Sequence, residues 1–219
     1  MKQEEKRGIR MTVRISRIKK TLEKELKPSR LTHTTGVAYT AMALAMRYEG
    51  DIKKAEIAGL LHDIAKDIPS KRALKMCDKW NIAVTSIEKR NPFLLHGKLG
   101  AYYALSEFGV EDTDILNAII YHTTGRPKMS LLEKIVFVAD YIEPGRDKAV
   151  RLKEIRRIAF IDIDQAVYEI TGDILAYLKT VEGEIDPQTI QTYEYYKNLL
   201  KNRAAVEKKD DNSITDDED

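Results

Sequence analysis

The sequence predicts an all-α fold built as one domain. Apolar residues recur at three- and four-residue spacings along almost the whole chain, and no stretch sustains the two-residue alternation of a half-buried strand. Capping and stop residues separate these amphipathic segments. With 219 residues, the chain can form one well-packed core, whereas a second full domain would be a tight fit. We therefore expect a single helical bundle.

Helix boundaries are indicated by capping side chains and by glycine or proline stops. A capping side chain accepts hydrogen bonds from the free N–H groups of the first turn. Ser130 and Glu133 match the capping-box pattern at the start of one helix. The other expected helix starts are Ser29, Asp51, Ser70, Leu94 and Asp112 or Thr113, and two final helices are expected over about 162–181 and 187–205.

The helical domain is expected to cover residues 15–206. Residues 1–14 are charged, lack the apolar core of a secretory signal, and are interpreted as an N-terminal extension. Residues 207–219, "EKKDDNSITDDED", contain many acidic and almost no apolar side chains. This composition predicts a disordered, solvated tail.

Composition argues against several classes of protein. No apolar run approaches the roughly 18 residues of a membrane span, so we expect a cytoplasmic protein that does not enter the membrane. The net charge of +2 provides no global field for a nucleic acid. Cys77 is the single cysteine and has no nearby histidine to activate it, which predicts a plain, partly buried thiol.

The four histidines are the most informative residues. Each lies in or beside an apolar helical segment that also contains small residues. A single histidine on an apolar face is usually a hydrogen-bonded core residue, but four in one bundle favour a shared site. They are His33, His62, His96 and His122.

The segment "GLLHDIAKD" (59–67) combines two of the expected metal ligands with a lysine. On a continuous helix, His62 and Asp63 would point about 100° apart, so both side chains can converge on one cation. A buried carboxylate needs such a partner. Lys66 would lie one turn further along the same face, where it can either reach an anion held by the metal or extend to solvent.

Asp140 is the second candidate carboxylate, because it follows the strongly apolar run "IVFVA". It can either ligate the same cation or bond to donors at the end of its helix. Imidazole and carboxylate ligands suit zinc, manganese, iron and similar cations. With no cysteine cluster to build a closed structural zinc site, the pattern indicates a catalytic metal with open positions.

Two turns offer groups that bind phosphate. "HTTG" (122–125) places hydroxyls and backbone N–H groups at a helix end beside Arg126, although this composition is common in turns. Arg146, in "EPGR", can either pair with phosphate oxygens through its planar fork or remain a solvated surface residue.

The order His33, then adjacent His62 and Asp63, then Asp140 resembles the motif pattern of the HD-domain metal phosphohydrolases. The likeness is closer to one group, the YqeK-type symmetrical diadenosine tetraphosphatases of bacteria, and extends over about residues 15–200. The segments that carry it are "RLTHTTGV" (30–37), "LLHDIAK" (60–66), "LLHG" around His96, "HTTG" (122–125) and "ADYIEPGR" (139–146).

This resemblance implies an all-α, single HD-domain helical bundle with a metal centre in a cleft between helices. The implied reaction is hydrolysis of diadenosine tetraphosphate into two molecules of ADP. Iron is the implied metal, as one or two ions, although the same ligands also accept Mn, Co, Ni or Zn. The implied metal ligands are His33, His62, Asp63 and Asp140.

The motifs also imply roles for other residues. Asp63, Lys66, His96 and His122 would be catalytic. The segment "GEIDPQT" (183–189) resembles the stretch that closes over the nucleoside. The implied nucleotide contacts are His33, Asp63, Lys66, His96, His122, Thr123, Thr124, Arg146, Glu184, Ile185 and Pro187.

Two other interpretations remain open at the level of sequence. Another HD-superfamily enzyme would act on a deoxynucleoside phosphate, guanosine tetraphosphate or a cyclic dinucleotide, but the "GYP" signature of the cyclic dinucleotide enzymes does not occur. A non-catalytic nucleotide-binding module is disfavoured because all four motif ligands are present. A homodimer is also possible, with "TYEYYKNLL" (192–200) as the candidate interface, although its helical spacing favours a place in the core.

Overall fold

The computed structural model describes residues 15–181 and 184–214, with side chains up to residue 206, and within these ranges it contains helices, turns and loops but no strand. Helix α1 covers residues 15–25. The following helices are α2 (Pro28–Arg47), α3 (Ile52–Leu61), α4 (Ser70–Lys79), α5 (Ser86–Arg90), α6 (His96–Ser106), α7 (Thr113–Tyr121), α8 (Leu131–Ile142), α9 (Leu152–Ala159), α10 (Ile163–Thr180) and α11 (Pro187–Ile214), with a 3-10 turn at Pro92–Leu95 between α5 and α6. The predicted all-α class is confirmed.

The helices surround one main core. Helix α2 packs along α3 and α8, α7 lies against both α6 and α8, and α10 packs on α11, α8 and α9. Fully buried aliphatic side chains fill the space between them, among them Leu44, Leu61, Ile119 and Ile135. Tyr196 of the aromatic segment in α11 is also buried in this core. In the part of the chain that the structure describes, no helix is both long and apolar enough to span a membrane.

Two glycines allow the close helix crossings that bring the histidines together. A Cβ atom on Gly59 of α3 would lie 2.7 Å from the Ala38 Cα atom of α2. A Cβ atom on Gly97 of α6 would lie 2.6 Å from the Ile120 carbonyl oxygen of α7. Real Cβ atoms do not approach backbone this closely, so only glycine permits these crossings.

Most predicted caps agree with the structure. Asp51 accepts hydrogen bonds from the Lys53 and Lys54 N–H groups, and Ser130 with Glu133 forms the predicted capping box of α8. Cys77 is buried in a small satellite core between α4 and α6, as a plain thiol would be. Burial raises the pKa of this thiol, which leaves it largely unreactive at neutral pH.

Several helix boundaries differ from the sequence prediction. Ser29 does not cap α2, because Pro28 already occupies the first helical turn and Lys27 precedes it without a side-chain cap. The helix expected from Leu94 begins at His96, after the 3-10 turn. The sequence prediction also missed α1 and the short helices α5 and α9. The lengths of α5 and α9 give too few turns for a clear periodic pattern.

The predicted helix through "GLLHDIAKD" ends earlier than expected, at Leu61. From His62 to Asp67 the chain forms tight turns instead, with hydrogen bonds from Ile64 N–H to the Leu61 carbonyl and from Lys66 N–H to the Asp63 carbonyl. These three-residue bonds tighten the chain, so His62 and Asp63 project from a turn at the end of α3 and not from one continuous helical face.

The segment predicted to be a disordered tail, residues 207–219, overlaps the last helix. Helix α11 continues to Ile214, so part of the segment predicted to be disordered is helical. A long helix propagates at little cost through lysine and glutamate residues once its first turns are formed. Residues 1–14, Glu182, Gly183 and 215–219 lie outside the described residues, and the division into an extension, a domain and a tail stays a prediction.

Candidate active site

Three histidines share one hydrogen-bonding arrangement at the ends of helices. In each, the Nδ1–H group donates to the carbonyl oxygen three residues earlier: His62 to Gly59 at 2.7 Å, His96 to Phe93 at 2.5 Å, and His122 to Ile119 at 2.7 Å. Because Nδ1 carries the proton in each ring, Nε2 presents a free lone pair. This is the tautomer in which Nε2 can bind a metal.

Asp63 lies at the centre of these imidazole rings. Its Oδ1 atom is 3.3 Å from the His96 Nε2 atom and 3.5 Å from the His122 Nε2 atom. Its Oδ2 atom is 3.7 Å from the His62 Nε2 atom and accepts a 2.6 Å hydrogen bond from Arg30. The His33 Nε2 atom lies 3.8 Å from the same Oδ2 atom, so one carboxylate faces four imidazole nitrogens and one guanidinium.

His33 and Asp140 complete the cluster from α2 and α8. The His33 Nε2 atom lies 3.1 Å from the Asp140 Oδ1 atom, which is also 3.8 Å from the His62 Nε2 atom. On the other side of the ring, His33 Nδ1–H donates to the Glu143 carboxylate at 3.1 Å. The second Glu143 oxygen accepts a hydrogen bond from Gly145 N–H at 2.6 Å, so Glu143 is fixed while it orients the His33 ring.

Burial and charge oppose each other in this cluster. Burial lowers the pKa of His62 to about 4, against the effect of the nearby Asp63 and Asp140. Burial favours a higher pKa for both carboxyl groups, but the surrounding imidazoles outweigh it, chiefly His62 for Asp63 and His33 for Asp140, so both pKa values lie below the usual range. A neutral imidazole beside ionised carboxylates is the protonation state that metal binding requires.

Unsatisfied atoms test whether a cation fits here. His33 Nε2, His62 Nε2 and Asp63 Oδ1 are buried and make no hydrogen bond to any described residue. Buried polar atoms without partners are costly and rare. His33, His62 and Asp63 offer ligand atoms within 4.8 Å of one another, as do two overlapping groups that add His96, His122 and Asp140. These residues fit a metal ion.

Lys66 and Thr123 surround the pair formed by His96 and His122. The two Nε2 atoms lie 2.9 Å apart. Because both rings carry their proton on Nδ1, no hydrogen bond joins these two nitrogens, and each needs a separate hydrogen-bond donor. Lys66 donates to His96 at 3.0 Å, and the Thr123 hydroxyl lies 3.1 Å from the His122 Nε2 atom. The ammonium group and the hydroxyl supply the missing protons.

A cleft opens directly above this cluster. Its volume is about 680 Å³, which lies within the usual range of small-molecule sites. The exposed aromatic residues Phe93 and Tyr177 stand on its walls. Of the residues predicted to act in catalysis or binding, those that line this cleft are His33, Lys66, His122, Thr123, Thr124, Asp140, Arg146 and Glu184.

Other predicted site residues lie elsewhere. His62, Asp63 and His96 form the buried floor. Ile185 and Pro187 line a neighbouring cavity and not this cleft. Gly183, which begins the predicted nucleoside segment, is outside the described residues. The structure therefore gathers most of the predicted site in one place, with part of that segment on a separate surface.

Two further residues belong to the cluster and were missed from the sequence. Arg30 bonds to Asp63, and Glu143 bonds to His33. Each lies three residues from a predicted ligand, since Arg30 precedes His33 and Glu143 follows Asp140. That spacing places two side chains on the same side of a helix and is the signal that could have identified both.

Arg146 is held against Asp140 by two contacts. Its Nη2 group donates to the Asp140 Oδ1 atom at 2.6 Å, and its Nε–H donates to the Asp140 carbonyl at 2.9 Å. Arg156 donates to the carbonyls of Ile142, Glu143 and Arg146. The loop after α8 is therefore fixed, with Arg146 at the rim of the cleft.

Comparison with known proteins identifies this arrangement. The model of the HD domain family matches residues 30–145, a range that includes the whole cluster and more than half of the chain. The chain belongs to the HD family. The residues that converge in the structure therefore correspond to the region by which the HD family is defined.

Similar HD proteins carry consistent descriptions. The chain is 40% identical over 174 residues to a symmetrical bis(5'-nucleosyl)-tetraphosphatase of Bacillus subtilis (strain 168). The aligned region covers 80% of this chain and 92% of the relative. A protein of the same description from Staphylococcus aureus is 34% identical and covers 83% of this chain and 94% of its own length.

A solved structure shows the same fold. It is the crystal structure of a predicted HD superfamily hydrolase involved in NAD metabolism from Clostridium acetobutylicum, with 38% sequence identity and a TM-score of 0.81. The match covers 84% of this chain and 97% of that structure. The predicted HD-domain bundle is thereby confirmed.

Proposed function

We propose that this HD protein is a symmetrical diadenosine tetraphosphatase that uses a divalent metal and releases two molecules of ADP. The observation that carries the proposal is a buried cluster of carboxylates and unprotonated imidazole nitrogens. This cluster lies below a cleft that is lined by cationic side chains. The description shared by the relatives from Bacillus subtilis and Staphylococcus aureus supports this substrate.

His33, His62, Asp63 and Asp140 are the proposed metal ligands. When bound, a divalent cation polarises a phosphoryl oxygen and lowers the pKa of water at its open positions. Nitrogen and carboxylate ligands suit first-row transition metals, and we propose iron, as the resemblance to the tetraphosphatases implies. Glu143 keeps the His33 proton on Nδ1 and so keeps Nε2 available.

The chain supplies positive charge and hydrogen-bond donors for the polyphosphate. Arg30, Lys66 and Arg146 line one cleft, and the planar arginine forks match pairs of phosphate oxygens. The hydroxyl groups of Thr123 and Thr124 are donors at the same turn. These groups stabilise the charge that develops on the phosphate oxygens during in-line displacement.

His96 and His122 are proposed to act as general acid or base at the leaving phosphate. Burial lowers the pKa of His96 below its usual range, which keeps this imidazole neutral and able to accept a proton. Lys66, bonded to His96 Nε2, can supply one. A cytoplasmic location and a homodimer stay predictions from the sequence.

Metal analysis combined with product analysis tests the proposal. The purified protein is assayed for bound metal and then incubated with diadenosine tetraphosphate, guanosine tetraphosphate, a deoxynucleoside triphosphate and NAD, the last because the similar structure from Clostridium acetobutylicum is described in terms of NAD metabolism. We expect ADP as the sole product from diadenosine tetraphosphate. Formation of ATP and AMP, or turnover of only another nucleotide, would contradict the proposal.

Replacement of Asp63 separates a role in the site from a role in the fold. Asp63→Ala should lose both metal and hydrolysis while its circular dichroism remains nearly unchanged, because the side chain contacts the site cluster at the end of α3. Asp78→Ala changes an exposed aspartate on α4 and serves as the matched control. Full activity of metal-depleted Asp63→Ala protein would refute the assignment.

A further inference from the structure

A second cavity, of about 450 Å³, adjoins the catalytic cleft. Leu94, Thr123, Thr124, Glu184 and Asp186 line both spaces, so the two cavities share one boundary. The second cavity also falls within the usual size range of sites for small molecules. The protein therefore has two adjoining spaces, each large enough for part of a nucleotide.

One residue of the shared boundary, Thr123, contacts the two proposed catalytic histidines. The Thr123 hydroxyl lies 3.1 Å from the His122 Nε2 atom and 3.3 Å from the His96 Nε2 atom. A molecule lying across this boundary would therefore place its middle beside the proposed catalytic histidines. Its two ends would enter different cavities.

The charges around the second cavity disfavour a phosphate group, because the carboxylates of Glu88, Glu184 and Asp186 outnumber the cations there. Two cationic side chains line it, and each is already paired: Lys98 Nζ lies 2.7 Å from the Glu88 carboxylate, and Arg90 forms an ion pair with Glu184. In the cleft, Arg30 bonds to Asp63 and Arg146 bonds to Asp140. A metal held by these two carboxylates would neutralise their negative charge and leave the positive charge of the arginines unbalanced. Free positive charge is thus expected for phosphates in the cleft and not in the second cavity.

The wall of the second cavity is fixed and partly apolar. Ile185, Pro187 and Tyr121 present apolar surface, and Gln188 adds an amide that can donate and accept hydrogen bonds. The Asn91 side-chain amide donates to Glu184 at 2.7 Å and, with Arg90, ties this wall to the end of α5. An apolar surface with a few polar groups is typical of sites that hold a nucleoside base.

We propose that the second cavity holds the second nucleoside of the dinucleoside polyphosphate, while the first nucleoside occupies the catalytic cleft. This inference rests on the proposed function. A substrate with two identical halves must extend on both sides of a bond cleaved at its centre, and the two cavities meet where the catalytic groups lie. Holding one nucleoside in each cavity would set the centre of the polyphosphate beside the catalytic groups, as symmetric cleavage requires.

Filling the second cavity tests this inference. Gln188 and Ser86 line the second cavity but not the cleft, so Gln188→Trp and Ser86→Trp should each obstruct only the second site. Ile190→Trp adds the same side chain at an exposed position of α11 outside both cavities and serves as the control. All variants are compared as metal-loaded protein.

We expect Gln188→Trp and Ser86→Trp to reduce kcat/KM for diadenosine tetraphosphate by about tenfold or more, in line with the value of base contacts in other proteins. The inhibition constant of ADP should remain nearly unchanged, since ADP can still enter the cleft. Calorimetric titration should count two ADP molecules per chain in the unchanged protein and one in each filled variant. Ile190→Trp should behave like the unchanged protein.

Two outcomes would overturn the inference. Unchanged kcat/KM in both filled variants would show that the second cavity is not used, and equal losses of hydrolysis and ADP binding would show a general structural defect. If the unchanged protein does not cleave diadenosine tetraphosphate, the proposed function fails by itself. The number of ADP molecules bound per chain still reports on the second cavity in that case.

Discussion

Replacement of Glu143 by glutamine tests whether this side chain controls the metal affinity of His33. The Glu143 side chain is only 4% exposed, and its two oxygens accept hydrogen bonds from His33 Nδ1–H and Gly145 N–H. In Glu143→Gln one oxygen becomes an NH2 group, which cannot accept a hydrogen bond from either donor. One of these two buried bonds must therefore be lost.

The geometry indicates which bond is lost and how large the effect is. The bond to Gly145 is the shorter, at 2.6 Å against 3.1 Å for His33, so the remaining oxygen should stay with Gly145. His33 then faces the NH2 group with Nδ1, moves its proton to Nε2 and loses the lone pair that binds metal. Loss of such a supporting partner typically reduces metal affinity about 10- to 100-fold, which equals about 1.4–2.7 kcal/mol.

Competition with a coloured chelator measures this change, with thermal unfolding recorded beside it. Glu133→Gln is the matched control, because Glu133 is equally buried and bonded to Arg126 and Ser130 but does not contact the histidines. We expect both variants to lose stability and only Glu143→Gln to lose metal affinity. Metal binding by Glu143→Gln as tight as that of the unchanged protein would refute the proposed role.

Two further predictions concern the packing that supports the site. Gly97→Ala should destabilise the fold by about 1–3 kcal/mol, because its Cβ atom would lie 2.6 Å from the Ile120 carbonyl oxygen. Gly172→Ala is the control: the nearest neighbour of its Cβ atom is 3.4 Å away, so this change should stabilise the fold by about 0.5–1 kcal/mol. Urea unfolding measures both free energies, and equal effects would contradict the close crossing at Gly97. Cys77 should react slowly with iodoacetamide in the folded protein and rapidly in urea, since burial raises its pKa; rapid labelling of the folded chain would contradict its burial.

The sequence alone was sufficient to predict the fold class and most of the residues that the structure brings together. The helical spacing is repeated in every long segment, and the order of His33, His62, Asp63 and Asp140 is a pattern of residue types that does not depend on exact helix ends. Even where α3 ends earlier than predicted, these residues converge. Motif order was therefore a more reliable guide than local geometry.

The features that the sequence did not predict depend on tertiary contacts. Arg30 and Glu143 are common residue types for which a solvated side chain is the usual expectation, and the packing of α2 against α3 and α8 brings them to Asp63 and His33. The separation of Ile185 and Pro187 from the cleft likewise depends on how α11 lies against α10. The three-residue spacing from a predicted ligand marks Arg30 and Glu143 as candidates, but it does not show which partner each side chain meets.

The ends of the helices help to explain why two of the histidines carry no proton on Nε2. Carbonyl groups in the last turn of a helix lack partners within that helix. At the ends of α3 and α7, His62 and His122 donate Nδ1–H to the carbonyls of Gly59 and Ile119, so a requirement of the backbone fixes the proton on Nδ1. The same bond that completes the helix leaves Nε2 bare, and a histidine moved by one residue would lose both effects.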